Sequence, residues 1–162
     1  MATFPQTLTN PGAESGNTTG WTLAVGYTFS SSTSFVHTGS RAFFAGGKAN
    51  LFFYQDVTLT GVTTGDIDLG KYMAIGTCVS AESGATGSTG YTGIYMQCLD
   101  ASDNVITPES FTYGPAAADN SGWAALTHRI PVLPGTRKIR IGGYGIRQSS
   151  SYNIDGFWDE FT

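Results

Sequence analysis

The side chains able to do acid–base, nucleophilic or metal chemistry are few in this chain of 162 residues, and their spacing limits what they could do. His37 and His128 stand in strand or turn contexts with no neighbouring cysteine or paired carboxylates. Cys78 and Cys98 have no His or Asp at ligand spacing, so they form no metal motif. They read as two reduced, half-buried thiols in a chain without a secretion signal, with a disulfide as the other reading. Asp66 and Asp68 share a loop and Asp159 and Glu160 close the chain, whereas a glycosidase needs its carboxylates across a cleft at a set separation. The serines of AESGATG and NSGWA lie in no Gly-x-Ser-x-Gly elbow, and Gly84–Gly93 leads into no lysine or helix start that would make a phosphate loop. The chain is expected not to be an enzyme.

Binding chemistry is better supplied. Aromatic rings can stack on sugar rings while nearby polar groups read the hydroxyls. The exposed candidates are Tyr91, Tyr113, Trp123, Tyr144, Tyr152 and Trp158, and Tyr91, Trp123 and Trp158 stand first as glycan-binding residues. Trp21, Phe157 and one of Trp123 or Trp158 are assigned to the core. Five of the eight basic residues, Arg129, Arg137, Lys138, Arg140 and Arg147, fall within one short stretch. That stretch reads either as a solvated strand face or as a patch for an acidic protein partner. Arg137, Lys138 and Arg140 are the partner-binding candidates, together with Phe4 of the N-terminal segment. One acidic residue also stands apart: in NPGAESGNTTGWT (10–22), Glu14 is the only carboxylate before Asp56. It is either a turn residue in solvent or a placed ligand.

The elements that must position these groups are strands. Charged residues make up only 12% of the chain, and Gly (22 residues), Ser and Thr stand in their place, which favours strands and turns over helices. No apolar 3.6-residue period runs over a dozen residues. Period-two alternation marks Trp21–Phe29 as one strand, and Ser30–Ser34 reads as a polar loop. Arg41–Ala45, Ala49–Leu59, Tyr72–Ser80, Tyr91–Leu99, Phe111–Tyr113, Trp123–Val132, Lys138–Ile146 and Tyr152–Phe161 read as further strands. Gly61–Gly70 and Ala81–Gly90 read as loops, and Tyr91–Leu99 is expected to pair with the strand before it. Nine or ten strands with turn signals between them predict a single all-β domain over 10–162, a jelly-roll sandwich of two antiparallel sheets. Residues 1–9 form an N-terminal arm. The first and last strands are expected to bring residues near 10–16 close to residues near 154–160.

The net charge of −4 argues against a nucleic-acid surface. MATFPQTLTNPG has neither the basic nor the apolar region of a signal peptide, and no apolar run is long enough to cross a membrane.

Four segments give a resemblance. LTNPGAESGNTTGWT resembles the Asn-x-Gly-Phe-Glu…Gly-Trp opening of the galactose-binding-like carbohydrate-binding modules, with Ala13 at the usual aromatic position. HTGSRAFFAG, WAALTHRIPVLPGTRKIRI and YNIDGFWDEF are similar to that family's Gly-Ser turn, penultimate hairpin and closing strand, with Gly156 in place of a second Asp. The resemblance implies a structural Ca²⁺ held by Glu14 and Asp155 with the carbonyl of Gly12, since Ca²⁺ takes six to eight hard oxygens. Hydrogen-bonded turn carboxylates are the alternative.

Modules of this family usually accompany a secreted catalytic domain, whereas this chain starts at Met1 with no export signal. It resembles in that respect the stand-alone jelly rolls of bacteriophage virions. The expected function is therefore a non-enzymatic virion accessory protein made in the host cytoplasm. In that reading it decorates a capsid as a homo-oligomer, such as a trimer, docked on the major capsid protein. The alternative is a free-standing carbohydrate-binding module, extracellular if it is part of a secreted protein.

Overall fold

The computed structural model describes residues 4–25, 28–47, 50–82, 90–114, 122–147 and 154–162. Ten strands and one helical turn follow one another as β1 (Thr22–Val25), β2 (Thr28–Ser32), β3 (Ala42–Gly47), β4 (Leu51–Thr58), α1 (Thr64–Asp68), β5 (Met73–Glu82), β6 (Gly90–Leu99), β7 (Ser110–Tyr113), β8 (Ala124–Pro131), β9 (Lys138–Arg147) and β10 (Ile154–Asp159). They form two five-stranded antiparallel sheets, the first in the order β1-β4-β9-β6-β7 and the second in the order β2-β3-β10-β5-β8. The all-β sandwich expected from the sequence is the fold found.

Alternation supplies the core. Leu51 and Phe53 of β4, Ile94, Met96 and Cys98 of β6, and Ile139 and Ile141 of β9 point inward from the first sheet. Phe43, Cys78, Leu126, Ile130 and Trp158 meet them from the second. Each fully buried large apolar side chain contributes about 1.5–3 kcal/mol, so this interface supplies most of the drive to fold. Trp21 seals one end of it, 5.2 Å from Phe43 and 4.7 Å from Phe161 between ring centres. Its indole N–H donates to the carbonyls of Thr9 and Asn10, both at 3.0 Å.

Several sequence expectations change. The Trp21–Phe29 alternation is divided between β1 in the first sheet and β2 in the second, and β2 runs on into the serines read as a loop. Tyr91–Leu99 does not pair with the preceding strand: β6 pairs with β7 and β9, whereas β5 pairs with β8 and β10. The chain crosses between sheets there, so the apolar faces of β5 and β6 meet across the core rather than edge to edge. Cys78 and Cys98 consequently lie in opposite sheets, both free and both fully buried. Within Gly61–Gly70, Thr63 caps a single helical turn by accepting from the amide N–H of Asp66.

The N-terminal segment lies on its own chain. Gln6 Oε1 accepts from the Thr60 amide at 2.9 Å and Gln6 Nε2 donates to the Thr60 carbonyl at 2.9 Å. Gln55 clasps Thr9 the same way, at 2.7 and 3.0 Å. Residues 10–16 do approach the end of the chain, through loop contacts instead of strand pairing: the Phe161 amide donates to the Pro11 carbonyl at 3.2 Å.

Candidate functional site

The outward side of the first sheet carries the second parity of each alternating strand. Across four strands, Phe52 stands opposite Tyr144, Tyr144 opposite Gly93, and Gly93 opposite Tyr113. The next row runs Tyr54, Gly142, Tyr95 and Phe111, and the third runs Asp56, Arg140 and Gln97. Each aromatic row contains one glycine, and the rings lie over it. A Cβ on Gly142 would come within 2.7 Å of the Tyr95 ring, and one on Gly93 within 2.6 Å of the Tyr144 ring. The absence of those two methyl groups is what lets the tyrosines lie down as a floor.

The floor is continuous. Phe111 and Tyr144 are 4.9 Å apart, Tyr113 and Tyr144 5.2 Å at nearly a right angle, and Tyr95 and Phe111 5.9 Å. Tyr91 extends it, 6.1 Å from Tyr113. Tyr95 and Tyr144 are buried, and burial pushes both phenol pKa values far up, so both stay neutral. Tyr113 is 53% exposed and offers its ring to solvent. Phe52, Tyr54, Tyr91 and Phe111 are half-buried around it.

The polar row borders the rings. Arg140 Nε donates to Asp56 Oδ1 at 2.7 Å and Nη2 to Oδ2 at 2.8 Å, a two-point fork. The guanidinium lies 3.8 Å from the centre of the Tyr54 ring, a cation–π contact. The hydrogen bonds to Asp56, and then its charge, hold the Arg140 pKa above the usual value. Gln97 stands beside Arg140 in the register and is buried, 5% exposed. An aromatic surface edged by fixed donors and acceptors can stack a flat apolar ring face and read its hydroxyls.

The residues expected from the sequence are distributed over several places. Tyr91, Tyr113 and Tyr144 lie on this face, and Tyr152 lies outside the described residues. Trp123 is on the other side of the sandwich, stacked 5.4 Å from Phe35, with His37 edge-on at 5.5 Å. Trp158 is no ligand contact. It is 0% exposed between the sheets, with its indole N–H donating to the Gly93 carbonyl at 3.0 Å. The three partner candidates of the basic stretch are each paired: Arg137 holds Asp68 at 3.0 and 3.1 Å, Lys138 holds Asp103 at 2.6 Å, and Arg140 holds Asp56. Phe4 packs edge-on against the Tyr72 ring at 5.7 Å.

Glu14 is a clasp. Its carboxylate accepts from Arg41 N at 2.9 Å, Ser40 Oγ at 2.8 Å and Ser40 N at 3.1 Å. These bonds, led by the Ser40 hydroxyl, hold its pKa below the usual carboxylate value. Gly39 makes the approach possible: its φ is +68°, and a Cβ there would lie 2.7 Å from the Glu14 carboxyl carbon. The carboxylate beside Gly12 is that of Asp159, which accepts from Glu160 N at 2.8 Å and Thr38 N at 3.2 Å. Asp155 pairs with Gly46 in the backbone register, and its side chain lies outside the described residues. Three donors thus meet the Glu14 carboxylate at this end of the expected calcium site, the hydrogen-bonded turn carboxylate that the sequence offers as the alternative. Among the described residues no group of three or more His, Cys, Asp or Glu side chains could hold a metal ion.

Sequence reasoning passed over Phe52, Tyr54, Asp56, Tyr95, Gln97 and Phe111. For all but Phe111 the signal was present in the parity of ANLFFYQDVTL and YTGIYMQCL, in which these residues alternate with the core set.

No protein-family model matches the chain, and no curated protein matches it in sequence. Solved structures do match it in shape. A family 16 carbohydrate-binding module aligns at a TM-score of 0.61 and 15% identity, over 96% of each chain. The fold is that of the carbohydrate-binding-module sandwich. A family 61 module, solved with β-1,4-galactotriose, aligns at 0.58 and 18% identity over 97% of this chain and 96% of its own. The enzymatically active domain of tailspike protein 4 from bacteriophage CBA120 aligns at 0.67 and 15% identity over 96% of this chain. This chain spans only 21% of that tailspike chain. At such identities the likeness is one of fold.

Proposed function

We propose that the protein is a non-catalytic glycan-binding module that lays a sugar chain across the outer face of the first sheet. The observation that carries this reading is the aromatic floor itself. Tyr113 is 53% exposed on a tight bed of Phe111, Tyr144 and Tyr91, beside a polar row of Asp56, Arg140 and Gln97. An exposed ring held on a packed aromatic bed offers a fixed stacking surface for the apolar face of a sugar. Two of the similar structures support the reading: one is a complex with β-1,4-galactotriose, and another is a xylan-binding domain from Paenibacillus barcinonensis.

Attachment to a virion is the second reading, favoured by the tailspike likeness. Capsid decoration, the function first expected from the sequence, has weaker support than glycan binding. The three basic residues assigned to a partner are each paired within the chain, and residues 4–9 lie against their own sheet.

Affinity electrophoresis through gels containing xylan, galactan or β-glucan tests the proposal. At least one polysaccharide should retard the protein, and Tyr113→Ala should weaken that binding about five-fold, the loss of roughly 1 kcal/mol of ring stacking. Free migration through a broad panel of glycans would overturn it.

A further inference from the structure

The charges on the aromatic face lead to one further step, which rests on the glycan-binding reading. We infer that Asp56 determines the charge specificity of this face: by occupying the guanidinium of Arg140, it excludes acidic sugars and leaves the face to uncharged ones. A carboxylate-bearing sugar is normally gripped by an arginine fork, two parallel N–H groups meeting two oxygens. Arg140 is the cation placed to do this, in the third row directly beside Tyr54, Tyr95 and Gln97. Its Nε–H and one Nη2–H already meet the two oxygens of Asp56, at 2.7 and 2.8 Å. The flat side of the group rests on the Tyr54 ring at 3.8 Å, so it is held from two directions.

Both partners are also partly withdrawn from water, with side-chain exposures of 20% and 26%. Screening is weaker there than for a fully exposed pair. Among the described residues the other charges nearby add no free cation. Lys138, two residues before Arg140 at the start of β9, has its ammonium on Asp103 at 2.6 Å. Glu109, exposed just before β7 and close enough to act on the Tyr95 hydroxyl, brings a carboxylate with no ion pair among the described residues. An incoming carboxylate therefore meets Asp56 and Glu109 and a guanidinium already neutralised. An uncharged sugar meets the remaining Arg140 N–H groups as donors and Asp56 as an acceptor.

The test pairs each neutral polysaccharide with its C6-oxidised, carboxylate-bearing form in affinity gels, using wild type and Asp56→Asn. Wild type should bind a neutral member at least ten-fold more tightly than its oxidised partner. Asp56→Asn should narrow that ratio to about three-fold or less, and its binding to the oxidised form should weaken with rising salt. Equal binding of both forms by wild type overturns the inference and leaves the glycan-binding reading standing, and this comparison needs no variant to fold. A ratio unchanged in a folded Asp56→Asn protein also overturns it. Failure of wild type to bind any member of any pair removes the glycan-binding reading, and the inference with it.

Discussion

Replacing Trp158 by alanine separates a core role from a binding role for the residue that sequence reading placed among the sugar contacts. The indole is 0% exposed, sits edge-on to Phe53 at 5.1 Å, and donates its N–H to the Gly93 carbonyl at 3.0 Å. Truncating a buried tryptophan to alanine costs about 3–5 kcal/mol, the lost transfer energy plus the cavity left behind. The missing hydrogen bond is worth on the order of 1 kcal/mol more. For a domain of this size each kcal/mol moves the melting temperature by about 2–4 °C, so a fall of roughly 10–15 °C is expected. Trp158→Phe keeps a ring in the cavity and should lose about half as much. Thermal melts followed by far-UV circular dichroism give the stability, and affinity gels run well below the melting point give the binding. A Trp158→Ala protein that melts within about 3 °C of wild type yet has lost its glycan affinity would refute the assignment.

Two further outcomes follow from polar groups away from the aromatic face. His128 is 7% exposed, with Nδ1 on the Thr112 hydroxyl at 2.8 Å and Nε2 without a partner among the described residues. Burial holds its pKa below the ordinary value of 6.5. The unfolded chain therefore takes up a proton that the folded chain resists, and stability drops as pH falls below about 6.5, levelling off beneath the folded-state value. Melts between neutral pH and pH 5 should show this slope in wild type and a flatter one in His128→Gln, and parallel slopes would refute it. Glu14 has a lowered pKa, led by the Ser40 hydroxyl bond, so its contribution is present above 4.5 and lost as pH falls through the folded-state value. At neutral pH, Glu14→Gln should lower the melting temperature while a chelator leaves wild type unchanged. A melt that drops with chelator would restore a metal to this loop.

The sequence made the strands legible because alternation is local: each strand needs only its own residues to declare two faces. The fold class follows from that, whereas which parity points inward, as Phe53, Ile94, Met96 and Ile141 do, is settled only by the packing of the two sheets. Which strand lies beside which is not local. Tyr91–Leu99 follows Tyr72–Ser80 in the chain, yet the two face each other across the core, a choice made by the packing of both apolar faces at once. The same limit hid the aromatic face. Phe52, Tyr95, Phe111 and Tyr144 come from four strands, and only the order β4-β9-β6-β7 brings their rings together. The charge pairing was hidden for a related reason: Arg137, Lys138 and Arg140 cluster in sequence, but their partners Asp68, Asp103 and Asp56 lie far from them along the chain.

The place of β10 governs how the molecule can be made. It stands between β3 and β5 in the middle of the second sheet, yet it is the last of the ten described strands in chain order. Until residues 154–159 emerge, β3 and β5 each hold an unpaired edge, and the inner cavity waits for Trp158 and Phe161. Folding cannot close progressively from the N-terminus. It must await synthesis of β10 and then join segments far apart in sequence, the condition that slows all-β proteins to milliseconds or longer. A nascent or truncated chain without β10 would present two hydrogen-bonding edges to its neighbours, and aggregation of such fragments is the expected cost of a central strand synthesised last.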